Sequence, residues 1–142
     1  MLTIKKILFQ IENNIDVVIS EETVLGKDLW LILMAQHYAD VAMLVGKLEE
    51  PHQVALFKKL PRDLSIKVFR KLPQQQQAVL LLALELDQAA IVLKNMPADE
   101  LTDLFDYLSD DDLEKYLKLL QSKQRNQILS LLSFNPRSAG GR

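Results

Sequence analysis

Cysteine is absent from this chain of 142 residues, which excludes disulfides and cysteine-based metal sites and is compatible with a cytosolic setting. A surplus of charge is missing too. The formal net charge of −2 gives no global pull toward nucleic acid, and no RNP-like, zinc-finger or glycine-rich phosphate-binding signature accompanies it. Long apolar runs are also lacking: the longest, 29–35 and 79–84, fall far short of the roughly 18 residues that a membrane-spanning helix needs, and residues 1–10 carry no secretory cleavage pattern. The expectation is a soluble segment without a nucleic-acid partner. Histidine is scarce, with His37 and His52 fifteen positions apart and in neither His-x-x-x-His nor Glu-x-x-His spacing, so local capping or packing is expected of both rather than zinc binding or general-base work. No serine has an acid–base partner at a recognised spacing, and the chain is not expected to be an enzyme.

What is there is a repeat. A large apolar residue recurs every twelve positions as Leu48, Leu60, Leu72, Leu84, Met96, Leu108, Leu120 and Leu132. Four residues before each stand Leu44, Leu56, Val68, Leu80, Val92, Leu104, Tyr116 and Ile128, and three before stand Val45, Phe57, Phe69, Leu81, Leu93, Phe105, Leu117 and Leu129. Positions i, i+1 and i+4 share one face of a helix, whereas i and i+1 point to opposite faces of a strand, so each unit is predicted to be helical. Turn signals separate the units, with Pro where a first turn needs no N–H and Asp or Ser where a cap is wanted. Helices are therefore predicted to begin near Pro51, Arg62, Gln74, Asp87, Ala98, Asp110 and Ser122.

Helices this short do not persist alone in water, so each must bury its stripe against neighbours. The predicted fold is all-α: a right- or left-handed α-superhelix (solenoid) of short helical hairpins, about ten helices on a twelve-residue repeat. Secondary positions Ala42, Val54, Ile66, Ala78, Ala90, Leu101 and Leu113 are expected to pack as well. The length suits one domain. Residues 1–36 read as N-terminal helices and a capping segment, 37–133 as the repeat, and 134–142 as a linker toward a following domain. Within the first part Ile4, Ile7, Leu8 and Ile11 fit a short amphipathic helix, 17–26 reads as a loose connector, and Asp28 to Gln36 restarts helical spacing.

Charge is sorted along the chain. Lys58, Lys59, Arg62, Lys67, Arg70 and Lys71 form a basic stretch that reads as a solvated face. Asp99, Glu100, Asp103, Asp106, Asp110, Asp111, Asp112 and Glu114 follow with no base until Lys115. At 100° per residue Asp99, Asp103 and Asp106 fall in one narrow sector opposite Leu104, Phe105 and Leu108, a stripe of like charge that opposes its own helix. Two readings of it stand side by side: a solvated face with acids at a helix start, where they suit the macrodipole, or a site for a hard cation such as Mg²⁺ or Ca²⁺.

The opening His37-Tyr38-Ala39-Asp40-Val41-Ala42, the hinges Leu60-Pro61 and Leu72-Pro73, the segment Met96-Pro97-Ala98-Asp99-Glu100-Leu101-Thr102-Asp103-Leu104 and the ending Phe134-Asn135-Pro136-Arg137-Ser138-Ala139-Gly140-Gly141 resemble the intracellular N-terminal domain of the MgtE family of magnesium transporters. The resemblance implies a cytosolic regulatory domain that senses Mg²⁺ by docking on CBS domains and so gates a membrane channel. Its partners would be the CBS domains and membrane domain of the same full-length protein, with homodimerisation through those domains only, at the cytoplasmic face of the membrane. Asp99 and Asp103 fall where the family places acidic ligands facing the CBS pair. Where the family carries a third acid, on the helix after Leu60-Pro61, this sequence has Lys67. Mg²⁺ is then the implied cofactor, held weakly by the isolated domain through Asp99, Asp103 and Asp106, with further ligands from the CBS domains. The alternative is a stand-alone helical-repeat module that binds a protein or peptide without any metal.

Overall fold

The computed structural model describes residues 3–133, which hold eleven helices and no strand. The all-α class is as expected. From residue 38 onward the helices are α4 (Tyr38–Lys47), α5 (Glu50–Lys59), α6 (Arg62–Lys71), α7 (Gln74–Ala83), α8 (Leu86–Lys94), α9 (Ala98–Phe105), α10 (Asp110–Leu117) and α11 (Ser122–Ser133). Each begins twelve residues after the one before. The predicted starts hold to within one residue, Glu50 and Leu86 replacing Pro51 and Asp87.

Five of the eight starts have a visible cause. His37 Nδ1 accepts from the Ala39 N–H at 3.0 Å, and Ser109 Oγ accepts from the Asp112 N–H at 3.2 Å while donating to its carboxylate at 3.1 Å. Pro61, Pro73 and Pro97 stand at the N-cap of α6, α7 and α9, where a locked φ leads into the first turn and the missing N–H is no loss. The ends are less regular. Helices α4 to α7 each run ten residues and close on an extended Leu48, Leu60, Leu72 or Leu84, with ψ between 143° and 155°. Helix α8 runs nine residues, and α9 and α10 run eight. The twelve-residue period survives because the links lengthen as the helices shorten.

The chain divides into two compact units, Met1–Leu72 and Pro73–Arg142. In the first, α1 (Ile4–Asn13) packs on α2 (Ile15–Ser20), α3 (Val24–Met34) and α4; α2 packs on α3 and α5; and α4 packs on α5 and α6. In the second, α9 packs on both α7 and α11. The three apolar columns supply most of the core, Val45, Leu56, Phe57, Val68, Phe69, Leu80, Leu81, Val92 and Leu93 being wholly buried. Three members depart from the pattern: Leu108 and Leu117 are half-buried and Leu129 is 46% exposed. Helix α11 lays Ile128 and Leu132 inward, and no described helix follows it to cover the next face.

Two further differences have physical causes. The stretch 17–19, expected as part of a connector, belongs to α2, a six-residue helix that buries Ile15 and Val18 and is too short to stand without α3 and α5 against it. Its neighbour α3 buries Gly26, Leu29 and Leu33, yet Val24, Leu25, Leu31 and Ile32 on its other side are exposed. The contact between α2 and α3 is close enough that a Cβ added at Gly26 would lie 2.1 Å from the Val17 carbonyl oxygen. Only glycine fits there. The segment 134–142, expected as a linker, lies outside the described residues.

Candidate functional site

The acidic stripe is carried by α9. Pro97 sets its start, so Asp99 and Glu100 fall in the first turn, where carboxylates suit the exposed N–H groups, and Asp103 lies one turn further on. Leu101, Leu104 and Phe105 bury the opposite side, which leaves Asp99 and Asp103 in solvent on a shared face. Asp106 is less exposed than either. The helix ends at Phe105, and Asp106 is its half-buried C-cap, at the end of the macrodipole that disfavours a carboxylate. Asp99 and Asp103 thus share the exposed face, and Asp106 continues the helical geometry (φ −60°, ψ −23°) as the half-buried residue after them.

Neither Asp99 nor Asp103 enters an ion pair among the described residues. In kind they suit a hard cation, which takes carboxylate oxygens. In number they do not complete a site: among the described residues no group of three or more His, Cys, Asp or Glu side chains could hold a metal ion. Mg²⁺ keeps several waters and often takes only one or two carboxylates from a protein. Asp99 and Asp103 could supply those two, with the remaining positions filled by water or another surface.

Asp99 also borders an open groove of about 770 Å³ where the start of α9 meets α11, and Lys123, Asn126, Gln127 and Ser130 line its α11 side. These α11 residues were not anticipated. Their spacing of i, i+3, i+4 and i+7 is a polar helical stripe, but its approach to Asp99 follows from the packing of α9 on α11, which no sequence pattern states. The groove is held in shape from beneath, since Gln124 donates to the Leu93 and Met96 carbonyls at 3.0 and 3.2 Å. A second tie fixes α10, where buried Tyr116 donates to the Leu81 carbonyl at 3.1 Å. Burial pushes the Tyr116 hydroxyl above its ordinary pKa, against the neighbouring Lys115 ammonium and with a small addition from Asp112.

The basic stretch has local partners. Lys59 pairs with Glu21 and lies 4.4 Å from the Trp30 ring centroid, and Lys67 lies 5.8 Å from the ring of Tyr38, which stacks on His37 at 4.3 Å. Lys67 is thus an exposed side chain beside an aromatic pair. Of the histidines, His37 caps α4 as expected, and His52 meets Asp16 of α2 at 2.9 Å.

Helix starts on a twelve-residue register, carrying an acidic outer face on α9, place the chain among all-α helical-repeat domains. Residues 36–137 match the sequence model of the MgtE intracellular N domain. The chain belongs to that family. The matched span takes in α4 to α11 and leaves α1 to α3 before it. No curated protein matches the chain. Among the described residues no helix is long and apolar enough to cross a membrane.

Proposed function

We propose that this chain is the cytosolic regulatory head of a magnesium transporter, and that it senses Mg²⁺ by docking the acidic face of α9 on CBS domains through bridging ions. The observation that carries this reading is the family match across α4 to α11. Support comes from α9 itself, whose Asp99 and Asp103 stand one turn apart in solvent. A cation bound only there keeps most of its hydration and gains little, so tight binding requires oxygen ligands from a second surface. Ion occupancy then reports docking. At low Mg²⁺ the acids of α9 repel an acidic partner face, and at high Mg²⁺ the same charges hold it, which is the differential affinity a switch needs. The partners are the CBS and membrane domains of the same transporter, on the cytoplasmic side, with dimerisation through those domains.

The test is limited proteolysis of the transporter that contains this segment, at about 5 mM Mg²⁺, above the weak end of hard-cation affinity. Asp99→Asn with Asp103→Asn is expected to abolish the magnesium-dependent protection. Protection that persists in the double variant would remove these two residues from the sensing role.

A further inference from the structure

The first unit contains a second concave site, unrelated to the acids of α9. Between α1 and α4 lies a groove of about 330 Å³, a size at the lower end of small-ligand pockets. Buried Leu8 and Leu44 form its floor, while Phe9 and Met43, 58% and 53% exposed, stand open at its sides. An aromatic ring and a flexible thioether held in water above an apolar floor make a surface that gains by being covered.

The rim says what kind of cover fits. Lys5 and Lys6 from α1 and Lys47 from α4 line the same groove, with Glu12 as the single acid of the lining. None of the three lysines is in an ion pair among the described residues. Three unneutralised ammonium groups around an apolar cleft call for an anionic head joined to an apolar body. We propose that the groove binds a single-chain anionic amphiphile, its tail between Phe9 and Met43 and its carboxylate or phosphate head on Lys5, Lys6 and Lys47. The occupant is a monomeric molecule rather than a bilayer, because the floor lies between two helices and a tail must leave the lipid phase to reach it. Helix α1 precedes the span that matches the family, so the site is built by joining a segment outside the family match to the first helix inside it.

The competing account is that the lysine stems merely lie over apolar surface with their heads in water. It predicts no preference for the sign of a ligand's head group. Dodecyl phosphate below its micelle concentration is therefore titrated into the intact chain, with dodecyltrimethylammonium and inorganic phosphate in parallel, and the Met43 methyl resonance is followed by NMR. Dodecyl phosphate is expected to give a saturable shift at Met43, and the two controls little. Lys5→Glu with Lys47→Glu should weaken binding about tenfold, the scale of two exposed charge contacts reversed, and Phe9→Ala should weaken it by a similar factor. All three side chains are exposed, so the variants should fold, as unchanged circular dichroism would verify. Equal binding of the cationic amphiphile, or indifference to the charge reversal, would overturn the proposal. So would capture by anionic vesicles without any Met43 response to the monomer, which would assign the lysines to a bilayer instead.

Discussion

Both units tie a helix to the carbonyl of an earlier one through a side chain, as Gln53 on Val45 does in the first, but the first also uses another chemistry. In the first, α2 is held to α5 at the surface by Asp16 with His52 and by Glu21 with Lys59, the latter also against Trp30. In the second, Tyr116 and Gln124 reach from α10 and α11 to the carbonyls of Leu81, Leu93 and Met96, each at or near the end of an earlier helix. Short helices have proportionally many unpaired terminal carbonyls. A side chain that reaches a carbonyl there joins two helices by a contact that does not depend on salt, even where the carbonyl already accepts a backbone N–H, as at Leu81 and Leu93. The surface pairs also join two helices, but through side chains alone, and salt weakens them. The difference indicates that the second unit depends on buried geometry, whereas the attachment of α2 in the first depends partly on charge and partly on close backbone contact.

Substitutions should sharpen the contrast in a definite order. Leu93→Ala removes a wholly buried side chain of the second unit and should cost about 2 to 5 kcal/mol in a urea melt. Gly26→Ala drives a methyl into the Val17 carbonyl and should cost about 1 to 3 kcal/mol, with hydrogen exchange rising in α2 and α3 ahead of the second unit. Tyr116→Phe should cost about 1 kcal/mol, modest because the Leu81 carbonyl retains its bond from the Leu84 N–H. The same variant has a pH signature. The folded state favours the neutral phenol, so its contribution is complete below the ordinary tyrosine pKa of 10.0 and is lost as pH rises through the raised folded value. Melts above pH 10 should therefore fall more steeply for the native chain than for Tyr116→Phe. Asp16→Asn should cost less than about 1 kcal/mol, and the cost should vanish in high salt, since the carboxylate is 86% exposed. Smallest of all, Asp99→Asn should leave the melt of this chain nearly unchanged, its side chain being exposed and outside any ion pair among the described residues. A large effect there would mean that the α9 acids serve the fold.

Much of this architecture was legible because both of its signals are local. Prolines and cap residues mark the starts, and the i, i+1, i+4 spacing marks the inward face. What escaped was a fourth inward column in which polarity disguises burial. Val41, Gln53, Ser65, Gln77 and Ala89 follow the same twelve-residue spacing and are all buried, as is the expected Leu101 that continues them, whereas of the positions chosen for their apolarity Ala42 and Ala78 are buried and Val54, Ile66 and Ala90 only half-buried. Gln53 can be buried because it donates to the Val45 carbonyl at 2.9 Å, and Ser65 because it donates to the Arg62 carbonyl at 2.7 Å. A hydrophobicity pattern registers side chains and not the acceptors that neighbouring helix ends provide.

The site was legible to a similar depth. Periodicity alone puts Asp99 and Asp103 on the outer face of α9, and Asp106 follows in αR conformation at the C-cap, where it is half-buried rather than exposed. Only the packing of α9 on α11 reveals the groove beside Asp99, because the α11 residues that border it lie 24 or more positions further along the chain.

The leucines that close α4 to α7 carry a consequence for how such a gene can change. Leu48, Leu60, Leu72 and Leu84 are each both the extended residue that stops a helix and a buried member of the core, and the next helix begins two residues on. A single inserted codon within one of these helices would rotate every later side chain of that helix by about 100° and move its closing leucine off the core. Gain or loss of twelve codons would restore the same stop, the same start and the same inward faces, so lineages carrying this region should differ in length by whole repeats far more readily than by single residues.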